Sequence, residues 1–224
     1  MIALLDYRAG NLTSVKKALA TIGADVFVPG APRDLADASG IIVPGVGHFG
    51  ATRALDDPWI EAILARVGEG RPLLGICLGM QWLFEGSDEA PDCPGLGLLS
   101  GRCYRLGTLR QKPDTADDGD EITVRLTPDT TYDRCDFKVP HVGWNSLTLR
   151  QATSIVEGVP AGAQVYFTHS YAAPIDGDTV AVTDHGESFA AIVQRGHVAG
   201  VQFHPEKSGD VGLRILRNFL ELVG

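Results

Sequence analysis

The 224-residue chain is long enough for one α/β domain with a full core, and 44% of its residues are hydrophobic. Asp and Glu outnumber Lys and Arg by 28 to 19, and the net charge of −9 disfavours nucleic acid and anionic lipid as partners. The N-terminal apolar run is too short for a signal peptide, and no later run is long enough to span a bilayer. We therefore expect a single domain over residues 1–224, in a cytoplasmic protein that enters no membrane.

The first half of the chain alternates short apolar strands with helical patterns. The predicted strands are residues 2–5, 25–28, 41–43 and 73–76. Apolar residues at helical spacing run from Leu12 to Ile22 and from Trp59 to Val67, and Asn11 is the predicted N-cap of the first helix. This alternation is typical of parallel strands joined by right-handed crossovers.

After about residue 100 the pattern changes to strand-like runs separated by turn residues, which favours antiparallel pairing. These runs are residues 165–168, 180–183, 190–194 and 198–203, and a helix with one apolar face closes the chain. The acidic stretch at about 110–138 lacks the spacing of a calcium loop, so we interpret it as a solvated loop or hairpin insertion. The predicted fold is α/β, with a central mixed, mostly parallel sheet flanked by helices and extra antiparallel strands in the C-terminal half.

Cys77 lies in the sequence Gly75-Ile76-Cys77-Leu78-Gly79, between an apolar strand and a helical run. This is the pattern of a nucleophile elbow, where a sharp strand-to-helix turn requires small flanking residues. A helix N-terminus also favours the thiolate form of a cysteine. The alternative is a buried cysteine that packs as a small hydrophobic residue, but the two flanking glycines favour the nucleophile.

A thiol nucleophile needs a base, and the base needs a group that orients it. His204 and Glu206 directly follow the apolar run 198–203. If the strand continues, their side chains point to the same side while Pro205 fixes the backbone. Taken alone, this pair could be an exposed ion pair at a strand end. Together with the cysteine elbow, the pair is predicted to be the base and its orienting carboxylate.

Attack by a thiol also requires backbone N–H groups that stabilise an oxyanion. The N–H of Leu78, directly after the nucleophile, is one candidate donor. The glycine-rich turn Pro44-Gly45-Val46-Gly47 could supply another, although a plain β-to-α loop would also explain those glycines.

The other cysteines, Cys93, Cys103 and Cys135, form no CxxC pair and no cluster with histidines. Neither a zinc site nor a disulfide framework is indicated, so we expect no metal and no cofactor. A reducing compartment fits this cysteine usage best.

Three segments in this order resemble the triad-type, or class I, glutamine amidotransferases: Pro44 to Gly47, Gly75 to Gln81, and His204 to Glu206. Within that class, further segments are similar to the glutaminase subunits of imidazole glycerol phosphate synthases. These are Asp6-Tyr7 with Gly10-Asn11-Leu12, Pro140 to Asn145, and His204 to Ser208. The similarity runs from the first strand to the last helix and implies the fold of that class.

The resemblance implies that Cys77 hydrolyses glutamine to glutamate and ammonia, with His204 as general base and then acid, and with Glu206 orienting it. The implied acceptor of the ammonia is a separate (β/α)₈-barrel cyclase subunit. The heterodimer would form imidazole glycerol phosphate and aminoimidazole carboxamide ribonucleotide in histidine biosynthesis. The implied oxyanion donors are the backbone N–H groups of Val46 and Leu78. The implied glutamine contacts are Gly47, Gln81, Glu89, His169, Ser170 and Tyr171, and the implied partner face holds Trp144, Asn145 and Lys207.

An alternative within the class is the glutaminase that serves pyridoxal phosphate synthesis, but the segments at 6–12 and 141–145 disfavour it. A catalytically silent interaction protein is disfavoured by the intact cysteine, histidine and glutamate. Arg8 stands where the family often has a glycine, and the acidic insertion is longer than the family pattern predicts. We also expect low activity in the isolated chain, with the turn near Val46 moving inward when the cyclase binds its ligand.

Overall fold

The computed structural model describes residues 1–10, 12–108 and 137–224. Asn11, Cys135 and nearly all of the acidic insertion lie outside the described residues, so the N-cap and the loop or hairpin stay predictions. In the described part of the chain, no helix is both long enough and apolar enough to cross a membrane.

The elements follow the predicted alternation in the first half of the chain. The strands are β1 (Ile2–Leu4), β2 (Val26–Phe27), β3 (Gly40–Val43), β4 (Leu73–Ile76), β5 (Gly86–Ser87), β6 (Arg102–Arg105), β7 (His141–Ser146), β8 (Thr148–Leu149), β9 (Gln164–His169), β10 (Tyr171–Ala172), β11 (Thr179–Asp184), β12 (Ser188–Arg195) and β13 (Val198–Val201). The α-helices are α1 (Leu12–Thr21), α2 (Asp57–Gly68), α3 (Leu78–Trp82) and α4 (Gly209–Val223). Short 3-10 turns form at Pro32–Asp37, Phe49–Ala54, Ser154–Val156 and Pro205–Lys207.

The main sheet has eight strands in the order β2-β1-β3-β4-β13-β12-β11-β8. The pairs from β2 to β13 are parallel, and the pairs from β13 to β8 are antiparallel. Two smaller sheets also form among the described residues, β10-β6-β5 and the antiparallel pair β7-β9. The predicted mixed α/β fold, with its antiparallel strands in the C-terminal half, is confirmed.

The two faces of the main sheet pack against separate apolar layers. Central strands β3, β4 and β13 are buried along their whole length, which explains why they are continuous apolar runs in the sequence. One layer contains the buried faces of α1 and α4, and the other contains those of α2 and α3. Helices α1, α2 and α4 therefore each present one apolar face to the sheet, whereas the short α3 is buried at every residue.

The segments predicted to carry the nucleophile, its base and the oxyanion donors follow the carboxyl ends of parallel strands. Cys77 follows β4, the turn Pro44–Gly47 follows β3, and His204 lies three residues after β13. Because β3, β4 and β13 are adjacent and parallel, these ends meet at one edge of the sheet, where ligands bind in open α/β folds.

Candidate active site

Cys77 lies on a strained turn between β4 and α3, with φ of 52° and ψ of −105°. Among the described non-glycine residues, only Arg8 shares a positive φ. A Cβ on Gly75 would lie 2.6 Å from the carbonyl of Gly79, and a Cβ on Gly79 would collide with the carbonyl of Val43. Both glycines are therefore required for the turn to close around the thiol.

Helix α3 has only five residues, so its dipole gives Cys77 less support than the sequence argument assumed. The thiol instead has polar neighbours on β9 and just after β13. The side-chain amide of Gln202 donates to Sγ at 3.6 Å, and the carbonyl of Thr168 lies 3.9 Å from Sγ.

His204 and Glu206 form a buried pair, with 2.8 Å between Nδ1 and Oε1 and side chains only 2% and 1% exposed. Strand β13 ends at Val201, two residues earlier than predicted, so the pair does not form along an extended strand. His204 is instead the N-cap of the 3-10 turn Pro205–Lys207, and Glu206 lies inside that turn, where its carboxylate meets the ring. The residue assignment agrees with the sequence argument, but its backbone explanation was wrong.

The electrostatics of His204 favour the protonated ring. Burial lowers the pKa of His204, but the interaction with Cys77 and the hydrogen bond and charge of Glu206 outweigh this effect and raise the pKa to about 9. At neutral pH the imidazole therefore holds a proton next to the thiol, where it can serve as a counter-charge to a thiolate and as a proton donor.

A cavity of about 270 Å³ opens over the thiol. Its lining includes Cys77 and Leu78 together with every residue that the family resemblance implies as a glutamine contact, namely Gly47, Gln81, Glu89, His169, Ser170 and Tyr171. Pro140 and Thr168 complete the wall. The structure thus brings into one cavity residues that are up to 124 positions apart in the sequence, counted from 47 to 171.

Two polar side chains of this cavity are fixed by the protein itself. The carboxylate of Glu89 accepts a hydrogen bond of 2.6 Å from the N–H of Phe49. The amide nitrogen of Gln81 donates to the carbonyl of Tyr171 at 2.8 Å and to Oε1 of Gln202 at 3.1 Å. These contacts hold an anion and an amide at set positions in the wall.

Both candidate oxyanion donors are engaged with backbone carbonyls in this structure. The N–H of Val46 donates to the carbonyl of Ala9 at 3.1 Å, and the N–H of Leu78 donates to that of Gly45 at 3.3 Å. Leu78 lines the cavity, whereas Val46 is not part of its wall. The turn must therefore rearrange before both groups can bind an oxyanion.

Tyr7 lies beneath this turn, and its hydroxyl is buried with no hydrogen-bond partner among the described residues. Burial and the charge of Cys77 raise its pKa far above the ordinary value. A Cβ on Gly45 would collide with the Tyr7 hydroxyl, so Gly45 must be a glycine in this conformation.

Arg8, at the position where the family resemblance implies a glycine, adopts the left-handed φ of 63° that a glycine would favour. The carboxylate of Asp6 accepts a hydrogen bond of 3.0 Å from the N–H of Arg8 and closes the turn. The turn therefore forms without glycine at this position, at the cost of some backbone strain.

Two of the three residues implied for a partner face lie on β7, and the third lies in the 3-10 turn Pro205–Lys207. Trp144 is 57% exposed and meets Tyr166 edge-on at 6.1 Å between ring centroids. The ammonium of Lys207 lies 5.6 Å from the centre of the same Tyr166 ring. Asn145 is half-buried and donates to the carbonyl of Asp184 at 2.7 Å. Tyr166, which the sequence argument missed, therefore joins Trp144 and Lys207 in one exposed aromatic and cationic cluster.

Next to this cluster, two histidines form a buried chain of hydrogen bonds. Nδ1 of His141 lies 3.2 Å from Nε2 of His169, and Nε2 of His141 lies 3.3 Å from the amide nitrogen of Asn145. Nδ1 of His169 lies 2.8 Å from the carbonyl of Tyr171. Burial is the main cause that lowers the pKa of His141 to about 4 and that of His169 to about 3.

Comparisons with known proteins identify the family. The family model described as Glutamine amidotransferase class-I matches residues 3–223. The imidazole glycerol phosphate synthase subunit HisH of Halobacterium salinarum is 44% identical over 98% of this chain and 92% of that protein. The protein of the same name from Shouchella clausii is 42% identical over 100% of this chain and 99% of that one. A solved crystal structure of a glutamine amidotransferase matches with a TM-score of 0.70 at 22% identity, covering 100% of this chain and 98% of that one.

Proposed function

Because the chain belongs to the class I glutamine amidotransferase family, we propose that it is the glutamine-hydrolysing subunit of an imidazole glycerol phosphate synthase. The observation that carries the proposal is the buried Cys77, His204 and Glu206 arrangement beside a polar cavity. Relatives that are 42% and 44% identical over nearly the full chain favour this synthase over the one that makes pyridoxal phosphate.

In the first half of the proposed reaction, the thiolate of Cys77 attacks the carboxamide carbon of glutamine. Protonated His204 then gives its proton to the departing nitrogen, so ammonia leaves and a thioester forms at Sγ. In the second half, neutral His204 takes a proton from water as the water attacks the thioester. The sulfur leaves as the thiolate beside protonated His204, and the new carboxyl group of glutamate gives its proton to solvent. Glu206 bonds Nδ1 of the ring, which leaves Nε2 as the nitrogen that exchanges the proton.

Substrate recognition uses the fixed groups of the cavity wall. The carboxylate of Glu89 is the proposed partner of the substrate ammonium, since it is the acidic residue of the cavity lining. Both hydrogens of the Gln81 amide are used inside the protein, which leaves its oxygen to accept from the ligand. Gly47, His169, Ser170 and Tyr171 complete the proposed glutamine site.

Ammonia release is proposed to depend on the partner. The oxyanion is proposed to bind the N–H groups of Val46 and Leu78 after both leave their present carbonyl acceptors. We place the (β/α)₈-barrel cyclase against Trp144, Asn145 and Lys207, and the ammonia passes to it. Binding of the cyclase and its ligand then favours the rearranged turn, which makes the isolated chain a weak glutaminase.

The proposal is tested by measuring glutamate and ammonia released from glutamine by the full chain mixed with the cyclase. Equal amounts of the two products are expected, and Cys77→Ala should release neither. Cys93→Ala is the matched control and should keep the parent rate. Cys93 is a buried cysteine that forms a hydrogen bond with Thr52 and does not line the cavity. Turnover by Cys77→Ala at the parent rate would contradict the proposed chemistry.

A further inference from the structure

Gln202 is a fully buried polar residue beside the nucleophile, and it takes no part in the proton transfers of the proposed reaction. Strands β4 and β13 are parallel with Ile76 opposite Val201, so the next residues along each strand are Cys77 and Gln202. Gln202 and His204 are two apart in the chain, and both side chains interact with Cys77. The nucleophile therefore has an amide neighbour as well as an imidazole neighbour.

The hydrogen-bond chain around Gln202 fixes which end of its amide faces the sulfur. The carbonyl of Tyr171 can only accept, so the group of Gln81 that meets it at 2.8 Å is the NH₂. The same NH₂ lies 3.1 Å from the Gln202 amide, which must present its oxygen there. The NH₂ of Gln202 is thus left to point at Sγ of Cys77, 3.6 Å away. The sulfur receives a hydrogen-bond donor.

We propose that Gln202 is a positioning residue for the nucleophile, which holds Sγ at the cavity and stabilises the thiolate over the thiol by N–H donation. A donor that bonds the charged form of an acid favours that form. The inference rests on the proposed function, because it assigns Gln202 to the same thiol. The N–H donation from Gln202 also compensates for the short helix α3, whose N-terminus contributes little to the stability of the thiolate.

The thiol also has titratable neighbours that must be kept constant in any test. His204 and Tyr7 both interact with the charge of Cys77, and Glu206 acts through its bond to His204. His169 lines the same cavity from β9. Substitutions confined to Gln202 leave all four of these groups in place.

The test measures the rate at which iodoacetamide alkylates Cys77 in the full chain between pH 5 and 10, with the label located by peptide mass. Gln202→Met keeps the side-chain length but removes the donor, so the midpoint of the rate profile should rise by about one pH unit. Gln202→Glu keeps an oxygen for Gln81 but puts a negative charge beside the sulfur, so its midpoint should rise further. At pH 7, kcat for glutamine should fall about tenfold in Gln202→Met, with KM changed less than kcat.

Gln194→Met is the matched control, because the Gln194 amide bonds Ser154 and Gly196 outside the site; its midpoint should equal that of the parent. Wild-type midpoints in both Gln202 variants would overturn the proposal. A raised midpoint in Gln202→Met with a normal one in Gln202→Glu would also overturn it, because that result means that Gln202 only supports Gln81. If the parent complex does not hydrolyse glutamine while the midpoints of the parent and the Gln202 variants differ as expected, the proposed function is contradicted and the role of Gln202 is not.

Discussion

The buried pair of His141 and His169 predicts a specific loss of stability in acid. The hydrogen bonds assign one tautomer to each ring: the Asn145 amide donates to Nε2 of His141, whose Nδ1–H donates to His169. Nδ1–H of His169 then donates to the carbonyl of Tyr171. A proton added to either ring makes two donors face each other, so the folded protein holds both rings neutral.

The magnitude follows from the lowered pKa values, about 4 for His141 and about 3 for His169. The unfolded chain protonates each ring below pH about 6.5, and the folded chain does not, so stability is present above that pH and is lost as the pH falls. As the pH falls from 7.5 to 5.5, protonation of each ring in the unfolded chain should lower the free energy of unfolding by about 1.4 kcal/mol. His204 acts in the opposite direction: its pKa is raised to about 9, so its contribution is complete below pH 6.5 and is lost at higher pH.

The assay is urea unfolding followed by tryptophan fluorescence at pH 7.5 and 5.5, for the parent and for His141→Gln. Glutamine can replace the donor and the acceptor of His141 but does not titrate, so the loss between the two pH values should shrink by about 1.4 kcal/mol. His48→Gln changes an exposed histidine outside the pair and should keep the full loss. Equal pH sensitivity in the parent and in His141→Gln would refute the reasoning.

Three further predictions concern the triad and the partner face. Glu206→Gln removes the carboxylate from Nδ1 of His204, so kcat in the presence of the cyclase should fall by about a thousandfold; a fall below tenfold in the glutaminase assay would contradict the orienting role. The free energy of unfolding, measured in urea, should be about 1 kcal/mol higher for Cys77→Gly than for Cys77→Ala, because glycine adopts the φ of 52° without strain. Equal free energies of unfolding would mean that the elbow stores no strain. Trp144→Ala should weaken cyclase binding by about 2 kcal/mol in calorimetry, whereas Leu64→Ala, on α2, should not change it; equal binding by both variants would place the partner elsewhere.

The fold could be predicted where burial alone decides the pattern. The strand predicted at 73–76 has the bounds of β4, and the one predicted at 41–43 is one residue shorter than β3, because strands buried on both faces need continuous apolar runs. The two-residue strands β5 and β10 could not be predicted. Their pairing partner is the distant strand β6, and neither carries a periodic apolar pattern.

The nucleophile could be predicted because glycine is a local requirement of its turn, as the close contacts of Gly75 and Gly79 show. The state of the oxyanion donors could not, because it depends on how the loop at 6–10 meets the turn at 44–47. The contact between Gln202 and Cys77 could not be predicted either, because it depends on the register of β4 against β13, which no local pattern of the sequence gives.

The central claim is that a thiol in this chain hydrolyses glutamine under the control of a partner subunit. Its most direct test is the glutaminase rate of the chain alone, with the cyclase, and with the cyclase and its nucleotide ligand. We predict a low rate for the chain alone, because the Val46 and Leu78 amides are occupied, and a large rise only with both additions. A full rate in the isolated chain, or no rise when the cyclase and its ligand are both present, would contradict the account.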